Sequence, residues 1–207
     1  MELQNLTGDM LTERIRQHGK TLLMIFLPLT VLGLLVGILL VMKLHAAGAL
    51  LGTVLIAVPL VFVFNALPEL LHPEQADIFR KYGTPEQVAA RIRNGSGDVF
   101  FGNGRTVVTE DYVLDTEKPD TLLFYPHALL VYPDGVQGKE ETLVIYDEWG
   151  KKLRYPFTNG QQQVIRIGTL SDKIRRHNPK CRSGHRPEDL DYVKQNRITI
   201  PANPQEK

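Results

Sequence analysis

Two apolar runs near the start of the chain restrict its fold more than any other feature. Residues 21–42 and 46–67 contain no Asp, Glu, Lys or Arg, and only Lys43, Leu44 and His45 separate them. Each run is 22 residues long, against the roughly 20 needed to cross about 30 Å of hydrocarbon at 1.5 Å per residue. A backbone in lipid must satisfy its own polar groups, so runs of this length read as helices. The expectation is an α-helical transmembrane hairpin over residues 21–67. A cleaved signal peptide fits poorly: the first run starts late, exceeds a signal core of about 7–15 residues, and is followed almost at once by a second.

The formal charge of +1 averages two different materials. Beyond residue 67 the chain has ordinary charged content and enough Val, Ile, Leu, Phe and Tyr for one buried core, so one soluble domain is expected. The single Cys181 has no partner for an internal disulfide, consistent with a reducing compartment. Arg14, Arg16 and Lys20 precede the first run, Lys43 alone lies between the runs, and Arg80 and Lys81 follow the second. By the bias of basic residues both termini are expected on the cytoplasmic side, with the short loop outside.

Residues 1–20 place Leu3, Leu6, Met10, Leu11 and Ile15 at roughly helical spacing, with Thr7 or Asp9 as caps. Two readings fit: an amphipathic helix lying on the inner membrane face, or a helix that extends the first span. In the hairpin, Gly33 and Gly37 form one G-x-x-x-G and Gly48 and Gly52 a second. Small residues one turn apart let helix backbones approach, so these four are the helix-packing candidates, within the hairpin or in a homodimer. Pro28 and Pro59 each remove a backbone donor. Asn65 is expected at headgroups or backbone near the inner interface. Spans without ionisable residues argue against a transporter or pump.

Residues 68–95 read as a helical linker: a short helix from Pro73 to a stop at Gly83, then one opened by the capping box Thr84-Pro85-Glu86-Gln87 and closed at Asn94-Gly95. From Asp98 to Phe157 the period becomes that of strands. Seven are expected, at residues 99–101, 105–109, 112–114, 122–125, 128–132, 142–146 and 153–157, with loops such as residues 116–120, Pro133-Asp134-Gly135 and Glu148-Trp149-Gly150 between them. This predicts a mainly-β antiparallel sandwich or small barrel. Residues 161–176 favour a closing helix, with a further strand at 164–167 as the rival. The β domain thus covers residues 96–177, and residues 178–207 form a basic, polar tail with one helical turn at 187–193 and a disordered end from Pro201.

Two spans, then His72-Pro73 to Lys81-Tyr82-Gly83, Val108-Thr109-Glu110-Asp111-Tyr112-Val113-Leu114, Leu130-Val131-Tyr132, Gly150-Lys151 and Asn178-Pro179 follow one another in an order that resembles a group of bacterial membrane proteins. These carry a pleckstrin-homology-like domain and are known only as domains of unknown function. The resemblance implies a seven-stranded, strongly bent sheet capped by a C-terminal helix. It also implies that the membrane is a bacterial inner membrane, and it implies no catalytic residue. In the eukaryotic relatives Lys and Arg around the first hairpin loop hold inositol phosphates; here residues 98–106 offer only Arg105, so that pocket is not supported.

Charge is divided unevenly. Residues 105–148 hold three Lys or Arg against ten Asp or Glu, whereas residues 151–186 hold ten against Asp172 alone. Lys173, Arg175, Arg176, Lys180, Arg182 and Arg186 are therefore candidates for contact with an anionic membrane surface, each gaining on the order of 1 kcal/mol when close to it. The plain alternative is that they balance the acidic loops within the domain. Aromatic residues do not alternate with this stretch, which argues against nucleic acid. His177, Cys181 and His185 form H-x-x-x-C-x-x-x-H, chemically suited to zinc, but the spacing is wide and Lys180, Arg182 and Arg186 oppose a cation. No metal or cofactor is assigned.

The three serines, Ser96, Ser171 and Ser183, sit in no G-x-S-x-G. Asn94-Gly95-Ser96-Gly97 lacks the Lys of a phosphate loop. Paired acids fall in loops, and His127 has no evident acid partner in the sequence. The expectation is a membrane-anchored binding or scaffolding module rather than an enzyme, its partner a protein, a second copy or the lipid surface. The alternatives are a small membrane enzyme with its site at the seam between hairpin and domain, or an accessory subunit of a membrane complex.

Overall fold

The computed structural model describes residues 5–95, 99–101, 106–135, 141–157 and 162–200, with backbone alone at 44–48, 99–101, 141, 157 and 162–167. Helical residues run over α1 (Gly8–Leu71), which folds back on itself as two arms, Gly8–Lys43 and Ala49–Leu71, each long and apolar enough to cross a membrane. Antiparallel pairing is fixed by contacts at several heights. Gly37 meets Gly52 and Gly33 meets Leu55 backbone to backbone, Phe26 stacks on Phe62 with ring centroids 4.4 Å apart, and His18 faces Glu69. Leu32, Leu35, Leu39, Leu51 and Val58 point outward and are exposed. Thr30 and Thr53 turn their hydroxyls onto the carbonyls of Phe26 and Ala49 within the helix, so they present no unsatisfied polar group outward.

Below the apolar run the first arm continues unbroken to Gly8, where Thr7 caps it by accepting from the Met10 N–H. Of the two readings for residues 1–20, the backbone of residues 8–20 follows the second, a helix continuous with the first apolar run. This extension also docks on the domain. Leu6, Leu11 and Ile15 share a buried cluster with Ile78, Phe79, Val88, Ala89 and Ile92. Around that cluster Glu86 accepts from the Gly8 N–H at 2.8 Å, Arg93 donates to the Leu6 carbonyl at 2.5 Å and Arg14 to that of Thr116 at 2.9 Å.

The linker is a 3-10 turn (Pro73–Gln75) followed by α2 (Asp77–Tyr82) and α3 (Pro85–Asn94). Gly83 separates α2 and α3 with φ +113°, a conformation that a side chain would strain. At the start of α3 the capping box forms as expected, with Thr84 accepting from the Gln87 N–H and Gln87 from that of Thr84.

The seven strands are present and divide into two sheets. The strands β1 (Val99–Phe101), β2 (Thr106–Val108), β3 (Tyr112–Asp115) and β4 (Lys118–Phe124) form an antiparallel meander. After a 3-10 turn (Tyr125–His127), β5 (Ala128–Asp134), β6 (Glu141–Asp147) and β7 (Lys152–Phe157) form the second sheet. Strand β4 starts within the loop expected at 116–120, because Asp115 pairs with Lys118 across a two-residue turn. Residues expected as helix or strand around 164–167 belong to α4 (Gln162–His177). An eighth strand, β8 (Arg182–Ser183), adds to β5 in parallel, and the single expected turn near 187 is α5 (Pro187–Asn196). Residues 201–207, expected to be disordered, lie outside the described residues.

Alternation along the strands explains the layering. Val113, Leu123 and Tyr125 face the second sheet's Val131, Leu143, Ile145, Leu153 and Tyr155, closed by Leu170 and Ile174 of α4. Tyr112, Leu114, Leu122 and Phe124 point the other way, into the helices of the linker and the first arm. On the far side of the second sheet Leu130, Tyr132 and Val144 meet Val193 of α5. Strands β3, β4 and β5 are thus covered on both faces, which is why β3 and most of β4 and β5 are buried residue after residue, whereas β7 alternates, with Lys152 and Arg154 exposed.

Candidate functional site: the seam between hairpin and domain

A cleft of about 320 Å³ opens where the hairpin meets the domain. Five segments build most of it. His18 comes from the first arm just before the apolar run. Asn65 and Glu69 stand one turn apart on the second arm, Asp77 and Arg80 come from α2, and Asp120 and Lys151 come from β4 and the turn ahead of β7. Its lining alternates in charge. His18 Nδ1 lies 2.9 Å from Glu69 Oε2, Lys151 Nζ donates to Asp120 Oδ2 at 2.8 Å and to the Asp120 carbonyl at 3.1 Å, and Arg80 reaches Asp77 at 3.4 Å. These groups can bind and orient a charged ligand, and the His18–Glu69 pair could move a proton. Among the described residues lining the cleft there is no Ser, Thr, Cys or Tyr.

Beside the cleft lies a buried polar cluster. Lys81, which the basic-residue count placed at the membrane, is instead 4 % exposed and pairs with Asp147 at 2.6 Å. Asp147 also accepts from the Trp149 and Lys151 N–H groups, and Lys81 Nζ lies over the Trp149 ring. Burial, then the Asp147 charge, pushes the Tyr82 phenol well up from its ordinary value. His127, with no partner evident in the sequence, holds Glu148 at 2.7 Å and stacks on Trp149. The sequence hid that acid because it sits in a turn 21 residues away.

The candidates read from the sequence fall elsewhere. A Cβ on Gly33 would stand 2.6 Å from the Leu55 carbonyl oxygen, and one on Gly52 2.9 Å from Gly37 Cα. These glycines are thus occupied by the hairpin's own packing; the surroundings of Gly48 lie outside the described residues. Of the basic stretch, Lys173 pairs with Glu110 at 2.7 Å, and Arg182 reaches Asp189 at 3.8 Å and covers the Tyr192 ring. Arg175, Arg176, Lys180 and Arg186 are exposed. Hydrogen bonding from Lys173 holds the Glu110 carboxyl below its ordinary range. Arg105 lies outside the described residues.

His177, Cys181 and His185 part company. His177 Nδ1 meets the Lys173 carbonyl, His185 stacks on Tyr132, and Cys181 is buried with its thiol pushed up to about 12 by that burial. No group of three His, Cys, Asp or Glu side chains converges among the described residues. Comparison of the chain with protein-family models, with curated proteins and with solved structures found no match.

Proposed function

We propose that the chain is a membrane-anchored binding or scaffolding module: a hairpin across a bacterial inner membrane, both termini cytoplasmic, holding a pleckstrin-homology-like domain against a protein partner. One observation carries this reading. The first arm leaves the apolar run and enters the core of the domain through Leu11 and Ile15, so the domain is held at a set height and orientation, as suits presentation of a surface. Two sheets of four strands, the second made of three antiparallel strands and the short parallel β8, with a closing helix, support the pleckstrin-homology-like reading in their seven antiparallel strands, alongside the sequence resemblance. Orientation is supported by Arg14, Arg16, Lys20 and Arg80, which remain at the domain end of the hairpin.

A second reading, a small membrane enzyme, draws support from the His18–Glu69 pair in the seam cleft. Affinity capture of the tagged full-length protein from native membranes separates the two. A stoichiometric protein, retained after Glu69→Gln and released by charge reversal at Arg175, Arg176 and Lys180, is the result expected of a module. Absence of any stoichiometric protein, together with a turnover lost in His18→Gln, would replace the module by the enzyme.

A further inference from the structure

We propose that the seam cleft is a headgroup site for a phospholipid bearing both a primary ammonium and a phosphate, that is, phosphatidylethanolamine. The inference rests on the hairpin spanning a membrane and adds a defined lipid to that reading. Height is the first ground. His18 stands three residues before the first apolar run, and Asn65 and Glu69 bracket the end of the second. A spanning hairpin therefore puts the cleft at headgroup level, not deep in hydrocarbon or out in the cytoplasm.

Charge is the second ground. Glu69, Asp77 and Asp120 share the lining with Arg80, Lys151 and His18. A purely anionic headgroup would face three carboxylates. A zwitterion fits both signs: an ammonium donates to Glu69 or Asp120 while the phosphate accepts from Arg80 or Lys151. The lining pairs are exchangeable, since Lys151 and Asp120 are 35 % and 43 % exposed, and such surface pairs are worth only about 0–1 kcal/mol. A headgroup can take their place without leaving a charge buried.

The nature of the lining separates ethanolamine from choline. Quaternary ammonium groups are held over aromatic faces, and among the described lining residues there is no Phe, Tyr or Trp. Carboxylates and the Asn65 amide instead ask for N–H donors, which a primary ammonium supplies three times over. Val61, exposed one turn from Asn65 toward the apolar run and on the same helix face, offers apolar surface for the acyl chains. The volume of about 320 Å³ lies at the small end of ligand pockets, roughly 300–1,000 Å³, as a headgroup with its chains outside requires.

The test uses the full-length protein in nanodiscs containing equal amounts of phosphatidylethanolamine, phosphatidylglycerol and phosphatidylcholine, followed by native mass spectrometry of the lipids it retains. Ethanolamine lipid held at least fivefold over the other two is expected, with the excess lost in Asp120→Asn/Glu69→Gln. As a readout needing no variant, retention by the unaltered protein falls stepwise across the mono-, di- and trimethylated headgroups. Equal retention of the three lipids, or a flat methylation series, overturns the site. Flotation with vesicles after alkaline washing distinguishes the two levels of failure: protein that floats without lipid preference refutes the cleft alone, whereas protein stripped from the vesicles refutes the spanning hairpin and the cleft with it.

Discussion

The two halves of one arm obey opposite rules of burial. Between Gly8 and Lys20 Leu11 and Ile15 turn inward, at 1 % and 4 % exposure, with Met10 left outside, where Glu13 and Arg16 also pair. Between Thr21 and Lys43 most large residues turn outward, Leu32, Leu35 and Leu39 all exceeding half exposure; Phe26 stacks inward on Phe62, and the closest approach between the arms goes to Gly33 and Gly37. In water the burial of Leu11 is driven by apolar area. In lipid the surroundings are as apolar as leucine, and contact between arms is won by close backbone approach. If the hairpin spans a membrane as proposed, an unbroken helix passes from one solvent's logic to the other's, and the cleft lies where the change occurs.

The largest effect should come from the domain side. Lys81→Met leaves the Asp147 carboxylate buried without its cation, which costs about 3–5 kcal/mol for such pairs. Chemical unfolding in detergent, followed by Trp149 fluorescence, measures it, and a loss under about 1 kcal/mol would mean that the pair is solvated. The next test contrasts one substitution at two heights. Leu11→Ala should cost about 2–5 kcal/mol by opening a cavity, and Leu35→Ala about 0.5 kcal/mol or less, as at other exposed positions. Equal losses would erase the distinction between the two halves.

Glycine gives a smaller contrast whose sign is informative. Gly52→Ala puts a methyl 2.9 Å from Gly37 Cα, backbone that cannot swing aside, and should destabilise the hairpin by about 1–3 kcal/mol, as overpacking does. Gly168→Ala, in α4 with nothing within 4 Å of the new carbon, should stabilise the domain by about 0.4–1 kcal/mol, because it removes freedom from the unfolded chain. Thermal unfolding of both variants in the same detergent reads the pair. Destabilisation at Gly168 would show that α4 is held by more than its own propensity.

What was legible in the sequence follows from how local each signal is. Composition alone located the hairpin. Thr84-Pro85-Glu86-Gln87 announced α3 because a capping box is complete within four residues. Turn residues located the seven strands. Strand β8 was not legible, since its two residues join β5 about 50 positions away and carry no pattern of their own. The Leu6, Leu11, Ile15 stripe was visible, but amphipathicity does not say whether lipid or protein covers the apolar face. Lys81 looked like a flanking charge for the same reason: its neutralisation depends on Asp147, 66 residues on. The cleft was least legible of all, because its lining comes from at least five separate segments, none contributing more than three side chains.

The smallest effect tests how the first arm's lower half is latched. Glu86 is held below the ordinary carboxylate range, first by the Gly8 N–H and then by Arg93. A carboxyl depressed in the folded state contributes stability above its unfolded value, and that contribution is lost as pH falls through the lowered one. Acid should therefore loosen the start of the arm before it disturbs the apolar run, which holds no carboxylate between Thr21 and Met42. Hydrogen exchange, expressed as protection relative to the free amide at each pH, should fall over residues 8–15 as pH drops below the ordinary glutamate range and stay level over residues 30–40. In Glu86→Gln the same segment should start less protected and change less with acid, because an amide can accept from Gly8 without carrying a charge. Parallel curves for the two proteins would show that burial of Leu6 and Leu11, not the carboxylate, fastens the arm, and would reduce the difference between its halves to packing alone.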